Sequence, residues 1–510
     1  MIWNTNDFKE RVLGCWMGKN IGGTLGAPME WRRQVNEVSF YTQEHKGEPL
    51  PNDDLDIQLL WLIALEEQGL ALDERVLGDY WMAYVTPHWA EYGNAKVNMR
   101  SGLVPPLSGA LNNVYKHSCG AFIRSEIWAC MCAGNPALAA RYAVMDACID
   151  HGCGGEGAYA AVFTAAMEAA AFVEDDVRTL IDIGLSYTPE GCDVRGAVLT
   201  AMAAYDGGRT WLEARDDVLS RYASAPFFNN PDTVSPDDTR KGFNDGPFGW
   251  EVPANMGMLI IGLLYGEGDF DKTLCITVNC GEDTDCTGAT VGSIFGILHG
   301  AAGIPARWMT PIGRGIKTVA INLGDLQGRV PENIDELTER TVRMAQQAAL
   351  RYPGAASFSD ANVTDKSGID AAALRGEAVR SMLYARGPVF RFSHYEVELI
   401  YPNGPFAAPG QRLAIELCVR HTHGVQGRVD VTLMPPPGFV IEGPSHRQGF
   451  ITPAHWGMGQ RCFAFTLLAE ETPPARAYAC AVITIDGRAN AMTLPIAILG
   501  GEERAACDES

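Results

Sequence analysis

A mainly α-helical domain followed by a smaller antiparallel β-sandwich is the architecture this sequence predicts. Three observations predict it. Over residues 1–352, apolar residues recur at three-to-four spacing. Residues 353–387 are small, polar and turn-rich, which marks a linker. Residues 388–500 alternate apolar and polar side chains with period two. Residues 501–510 read as an acidic tail.

Taken in order, the first element is "GCWMGKNIGGTLGAPMEW", with Gly14, Gly18, Gly22 and Gly26 four apart. A four-residue spacing draws one nearly straight stripe along a helix. Each mid-helix glycine costs about 1 kcal/mol relative to alanine, so the stripe needs a reason. Close approach of another backbone supplies one. "LDIQLLWLIALEEQ" (55–68), "YAAVFTAAMEAAAFV" (159–173), "VRGAVLTAMAAY" (194–205) and "IDELTERTVRMAQQAALRY" (334–352) read as further helices. A second glycine stripe, Gly288, Gly292, Gly296 and Gly300, follows the acids Glu282, Asp283 and Asp285. "TPHWAEYGNAKVN" reads as an irregular loop. Beyond the linker, 390–401, 412–421, 428–436, 461–469, 477–487 and 491–499 read as strands separated by turn signals.

Several function classes fall away on composition. Net charge is −22 (40 basic against 62 acidic residues), which disfavours nucleic acid and anionic membranes. The uncharged run 287–306 is as long as a bilayer span, but it contains five glycines and a histidine and reads as a buried helix. The fourteen cysteines are scattered, with no CxxC pair; Cys130 and Cys132 are too close to bridge readily. Mostly buried, reduced thiols in a cytoplasmic setting are the expectation. The N-terminus lacks the basic-then-apolar pattern of a signal peptide.

The acids carry the chemistry. Asp283 and Asp285 are two apart, so both can face one target only from a turn entering a helix. Asn52, Asp53, Asp54 and Asp56 stand just before another helix, where Asn and Asp are preferred caps. Two such clusters repel strongly unless a counter-charge joins them. A hard divalent cation bound through oxygen, magnesium or manganese, answers that need. There is no thiolate or histidine pair at zinc spacing.

These motifs, "GxxxGxxxGAPxE" near the start, "NDD" before a helix and "GxDTDxxGAxxG" late in the helical part, resemble the ADP-ribosylglycohydrolase family over residues 10 to about 350. The resemblance implies an all-α fold with a binuclear magnesium centre that cleaves the bond at the ribose anomeric carbon. By position, it implies Glu30 as the active-site glutamate and Asn52, Asp53, Asp54, Asp283 and Asp285 as the metal-binding set. Asp54 is also a candidate catalytic acid or base. "CGAFIRSE" aligns Gly120, Ala121 and Arg124 with a substrate loop, and His151 with a histidine beside the ribose. Read from the residues alone, His151 is a structural histidine and Arg124 a salt-bridge partner of Glu126 or another acid. Two departures stand out: Leu55 and Cys286 occupy positions where the family carries threonine, and a thiol is a poor magnesium ligand.

A magnesium-dependent hydrolase acting at an anomeric carbon, with an ADP-ribosyl or related ribosyl substrate, is the expected function. A glycosidase for another carbohydrate and a weakly catalytic ADP-ribose- or sugar-binding protein are the alternatives. The substrate is a small-molecule or protein-linked glycoside. Trp31, Trp89 and Tyr92 are candidate stacking platforms or plain core aromatics. Asn255 caps a buried helix or reaches the site.

Overall fold

The structure is a computed structural model. It describes all residues except 224–248, 353–355, 361–362, 367–368, 377–378, 385–386, 423–425, 453–456, 458 and 502–510. Nearly all of the expected acidic tail lies outside the described residues. Two compact units form: Met1–Gly93 with Tyr115–Leu383, and Asn94–Val114 with Tyr384–Ser510.

The first unit is helical. Six of its helices matter below: α1 (Thr5–Gly26), α2 (Asp53–Gln68), α3 (Glu156–Ala171), α4 (Val252–Tyr265), α5 (Thr284–His299) and α6 (Ile334–Arg351). Asn4 starts α1 by accepting hydrogen bonds from the Asn6 and Asp7 amides, which satisfies two otherwise unpaired donors. Alanine lets α3 be buried along almost its whole length. The glycine stripes of α1 and α5 lie against each other antiparallel. Gly14 faces Gly296, Gly18 faces Gly292, Gly22 faces Gly288, and Gly26 faces Thr284. A methyl group on any of the four α1 glycines would overlap backbone atoms of the other helix. The uncharged run after Asp285 is thus the buried α5, ended by Gly300 at φ 69°. Among the described residues no helix is long and apolar enough to cross a membrane.

Some local expectations change. "TPHWAEYGNAKVN" is not a loop throughout: Ala90–Arg100 is helical. Tyr92 is buried edge-on against Trp81, with ring centroids 4.9 Å apart, and that packing outweighs the turn-prone Asn and Gly. Within 353–387, strand β2 (Ser357–Ser359) pairs in parallel with β1 (Ile2–Asn4). Not every cysteine is reduced: Cys148 is bonded to Cys153 and Cys418 to Cys462. Cys418 and Cys462 are direct cross-strand partners, and sequence spacing carries no sign of that register. Nine described cysteines remain free, and Cys130 and Cys132 are among the buried ones.

The second unit holds a sandwich that is antiparallel except for one short parallel edge pair. One sheet has the order β3 (Val389–Arg391), β4 (Tyr395–Ile400), β6 (Arg412–His421), β10 (Gln460–Ala469), β8 (Phe439–Ile441). The other runs β5 (Phe406–Ala407), β12 (Met492–Gly500), β11 (Arg476–Ile485), β7 (Gly427–Met434), β9 (His446–Ile451). Alternate residues of both sheets, such as Val397, Leu399, Leu417 and Phe465 with Val431, Ile483 and Ile496, share one apolar core. The short β5, β8 and β9 carry too few alternations to be seen in the sequence. Residues 94–114 belong to this unit; Arg476 donates to the carbonyl of Arg100.

Candidate active site

Three segments far apart in sequence meet in the first unit. The contact between α1 and α5 sets two of them side by side. Thr284 Oγ1 donates to the carbonyl of Gly26 at 2.8 Å, tying the start of α5 to the end of α1. Just beyond, Glu282 and Arg32 exchange backbone hydrogen bonds of 2.9 and 3.4 Å. Trp31 and Glu282 both adopt positive φ there, at 61° and 68°, conformations that non-glycine residues rarely take without tertiary support. Arg33 supplies some of it, donating to both carboxylate oxygens of Glu282 at 2.8 and 3.1 Å. Of the three acids opening α5, Glu282 is therefore a structural clamp. Asn255, in the first turn of α4, donates to the carbonyls of Gly249 and Glu251 and accepts from the Asp283 amide at 3.1 Å. It positions the Asp283 turn from behind.

The remaining acids converge. Glu30, Asp283 and Asp285 each place a ligand atom within 4.8 Å of the others. Asp54, Asp285 and Cys286 do the same, so Asp285 belongs to both groups. Asp54 arrives from the first turn of α2, where Asn52 Oδ1 accepts from its amide at 2.9 Å. Asn52 thus acts as the helix cap, with its oxygen directed at backbone. Asp53 interacts with the Asp285 carboxylate, and Tyr92 donates to its Oδ2 at 3.4 Å. Asp56 points elsewhere, accepting from the Val319 and Ala320 amides at 2.6 and 2.5 Å.

The predicted substrate-loop residues form an adjoining layer. Arg124 is wholly buried, bonded to Asp146 at 2.8 Å, to Asp150 at 2.7 and 3.0 Å and to the Gly120 carbonyl at 2.5 Å. Its guanidinium lies over the Trp81 ring at 5.1 Å. The salt-bridge reading of Arg124 is right in kind, but the partners are Asp146 and Asp150. Glu126 pairs instead with Lys19 at 2.7 Å. His151 is buried between Asp150 (Nδ1 to Oδ1, 2.9 Å) and Ser118 (Nε2 to Oγ, 3.1 Å). Gly120 crosses directly over the Glu91 carboxylate, where a Cβ would collide with it; Ala121 beside it is buried. Glu91, Asp150 and His151 form a third group of clustered ligand atoms.

Sequence reasoning missed Glu91, Asp150 and Lys19. Lys19 had a signal. It is the lone charge between Arg11 and Glu30, so burial would force it to find a partner. Among the aromatics, Tyr92 is buried against Asp53, whereas Trp31 and Trp89 are 47% and 48% exposed.

The electrostatics follow from burial. Desolvation, then the carboxylates of Asp285, Asp53 and Asp54, push Glu30 up to about 10. Burial, then Asp285, pushes Asp53 up to about 7. Asp54, Asp283 and Asp285 are all raised, chiefly by burial. In contrast, burial works against the ionised form of Asp150, yet Arg124 and His151 outweigh it and hold this acid at about 2.

A divalent cation fits this site on the structure's own terms. Both side-chain oxygens of Asp54, and Oδ1 of Asp283 and of Asp285, are buried without a hydrogen-bond partner. Leaving buried acceptors unsatisfied costs about 1–3 kcal/mol each, and cations held by the two groups that share Asp285 would satisfy them. A pH effect follows. Asp53 and Glu30 titrate higher in the folded chain than at their ordinary 3.8 and 4.5, so the folded state binds more protons across that interval. Stability of the metal-free protein therefore falls as pH rises above about 4, through 7 for Asp53 and on toward 10 for Glu30. Thermal melts in chelator should show the midpoint dropping by several degrees between about pH 5 and about pH 8, and saturating divalent cation should flatten the trend. A melting curve independent of pH in chelator would contradict the picture of crowded carboxylates.

Comparison with known proteins gives the family. A family model described as ADP-ribosylglycohydrolase matches residues 4–349. A solved structure titled "ADP-ribosylglycohydrolase-related protein complex" is 18% identical, covering 67% of this chain and 99% of the other at a TM-score of 0.36. No curated protein matches the chain.

Proposed function

This chain belongs to the ADP-ribosylglycohydrolase family, a family of hydrolases, and from that premise we propose that it is a divalent-cation-dependent hydrolase cleaving the bond at the anomeric carbon of an ADP-ribosyl or related ribosyl substrate. One observation carries the reading: Asp285 clusters with Glu30 and Asp283 on one side and with Asp54 on the other, and Asp54, Asp283 and Asp285 each hold a buried oxygen without a hydrogen-bond partner. Magnesium or manganese, when bound, would neutralise these acids and supply an electrophile for the ribose hydroxyls and the attacking water.

The chain's own residues divide the remaining work. Asp54, Asp283 and Asp285 are buried and suit the role of ligands, with Asp53 beside them. Glu30 is only half-buried and follows the short turn Ala27–Met29. We assign it the proton transfer: with a bound cation offsetting the carboxylates that hold Glu30 protonated, its ionised form would take a proton from water as that water attacks the anomeric carbon, and return it to the departing group as the glycosidic bond breaks. Asp54 is a second candidate for that role, but it is sealed at the base of the site. The 120–124 loop, fixed from beneath by Arg124, would position the substrate through its backbone. His151, already bonded to Asp150 and Ser118, would stiffen that loop's floor. Trp31, exposed next to Glu30, offers a face for a sugar or base.

The test is a substrate panel: ADP-ribosylated arginine and serine peptides, O-acetyl-ADP-ribose and nitrophenyl glycosides, each with magnesium, manganese or chelator. Metal-dependent release of ADP-ribose from at least one ADP-ribosyl substrate is expected. Glu30→Gln should lower kcat by about 10²-fold with little change in metal content. Turnover undiminished in chelator would overturn the proposal; turnover of nitrophenyl glycosides alone would replace the substrate class.

A further inference from the structure

The two groups of ligand atoms that share Asp285 are chemically unequal. Glu30, Asp283 and Asp285 offer oxygen only, whereas Asp54 and Asp285 are joined by the sulfur of Cys286. Resting on the metal-dependent reading above, we infer that the Asp54–Asp285–Cys286 group is a mixed oxygen–sulfur site for a thiophilic divalent cation of the zinc(II) or cobalt(II) kind, next to an oxygen-only site for a hard cation.

A buried cysteine by itself is usually a small apolar residue. What distinguishes Cys286 is its company. Asp54 is wholly buried, and neither of its carboxylate oxygens has a hydrogen-bond partner. Oδ1 of Asp285, 6% exposed, also lacks one. One carboxylate oxygen of Asp54, one of Asp285 and the Cys286 sulfur all lie within 4.8 Å of one another. Beside Asp54, Leu55 is buried in the core and offers no donor. The third ligand atom in this group is therefore sulfur, and sulfur selects against magnesium and for softer ions. Zinc and cobalt accept carboxylate and thiolate together in tetrahedral sites. On binding, the thiol surrenders its proton to solvent as the metal–sulfur bond forms. Charge balance favours this. Lys19, wholly buried on α1 and bonded to Glu126, acts on both Asp54 and Asp285 from behind, so three anionic ligands face a fixed cation as well as the metal. Cys119 is the other thiol close by; it donates to the Trp250 carbonyl at 3.1 Å and also touches Asp283, but it is not part of the group with Asp54 and Asp285.

Cobalt(II) is the probe. The full-length protein, stripped with chelator and dialysed, is titrated with cobalt(II) and read by absorption spectroscopy. Visible d–d bands report bound cobalt whatever its ligands, and a near-ultraviolet sulfur-to-cobalt charge-transfer band reports the thiolate. Both are expected in the native chain. The charge-transfer band should vanish in Cys286→Thr while d–d bands remain, and persist in Cys119→Ser. Zinc(II) should abolish it by displacement; excess magnesium should not. Cobalt bound with d–d bands but no charge-transfer band in the native chain would overturn the sulfur site and leave the divalent-cation reading standing. Loss of the band in Cys119→Ser but not in Cys286→Thr would overturn the assignment to Cys286. No cobalt bound at all would sink the metal-dependent reading and this inference with it. The native spectrum decides the main question even if a variant fails to fold.

Discussion

Replacing Asp285 by asparagine is expected to lower turnover by roughly 10³-fold or more, the scale for removing a positioned charged group from a catalytic site. The reason is its shared place. Asp285 belongs both to the group with Glu30 and Asp283 and to the group with Asp54 and Cys286, so one substitution weakens both positions. Asparagine has nearly the same shape, and the helical circular dichroism should be unchanged. Metal content should fall with activity. Stability should move the other way: removing one carboxylate from a crowded, buried set relieves repulsion, so the metal-free variant should melt above the metal-free native chain. That opposite movement separates loss of a ligand from general damage. Native turnover in Asp285→Asn, or a lower melting point in chelator, would remove Asp285 from the centre of the site.

The second large effect is mechanical. Gly18→Ala adds a single methyl where the backbone of Gly292 already stands. Overpacking of ordinary cores costs about 1–3 kcal/mol because side chains can shift. Here the obstructing atoms are backbone, which cannot rotate away, so a loss of about 3 kcal/mol or more is expected. Alanine's better helix propensity, about 1 kcal/mol, returns only part of that. Chemical denaturation should find Gly18→Ala unfolding at clearly lower denaturant, with Gly315→Ala as a comparison in which a Cβ meets no neighbouring atom and the backbone is not left-handed. Equal stability of Gly18→Ala and native protein would mean that the helices do not approach as described.

The glycine stripes also show how much of the fold could be read in advance. Eight glycines at four-residue spacing are costly unless another backbone fills the space, so a close backbone approach at each stripe was legible, but not that the two stripes would face each other. So were the long helices, whose alanine- and leucine-rich periodicity agrees with their burial. The sandwich was legible through its five strands of eight or more residues, whereas the stretch 390–401, read as one strand, is the antiparallel pair β3 and β4. β5, β8 and β9 were not, because two to six residues hold too few alternations. The inclusion of 94–114 in the second unit was equally hidden, since it rests on contacts such as Arg476 with Arg100.

At the site, the acids could be named from motif and spacing, but their division of labour could not. Glu282 is indistinguishable from Asp283 in sequence, yet Arg33 takes it out of the cluster. Asn52 resembles a ligand in its motif, while its oxygen caps α2. Arg124 and His151 lie near where the family resemblance put them, but their bonds run to Asp146, Asp150 and Ser118. Only the folded chain shows them as supports. Glu91 and Asp150 were invisible because their importance depends on partners distant along the chain.

The meeting of α1 with α5 has a consequence during synthesis. Residues 30 and 54 leave the ribosome long before 283–286 do. Until that late segment emerges, the nascent polypeptide has no cavity in which to capture an ion. On the metal-dependent reading, cation loading would therefore wait until most of the first unit has been translated, and a chain stalled before α5 would carry Glu30 and Asp54 without Asp283 and Asp285.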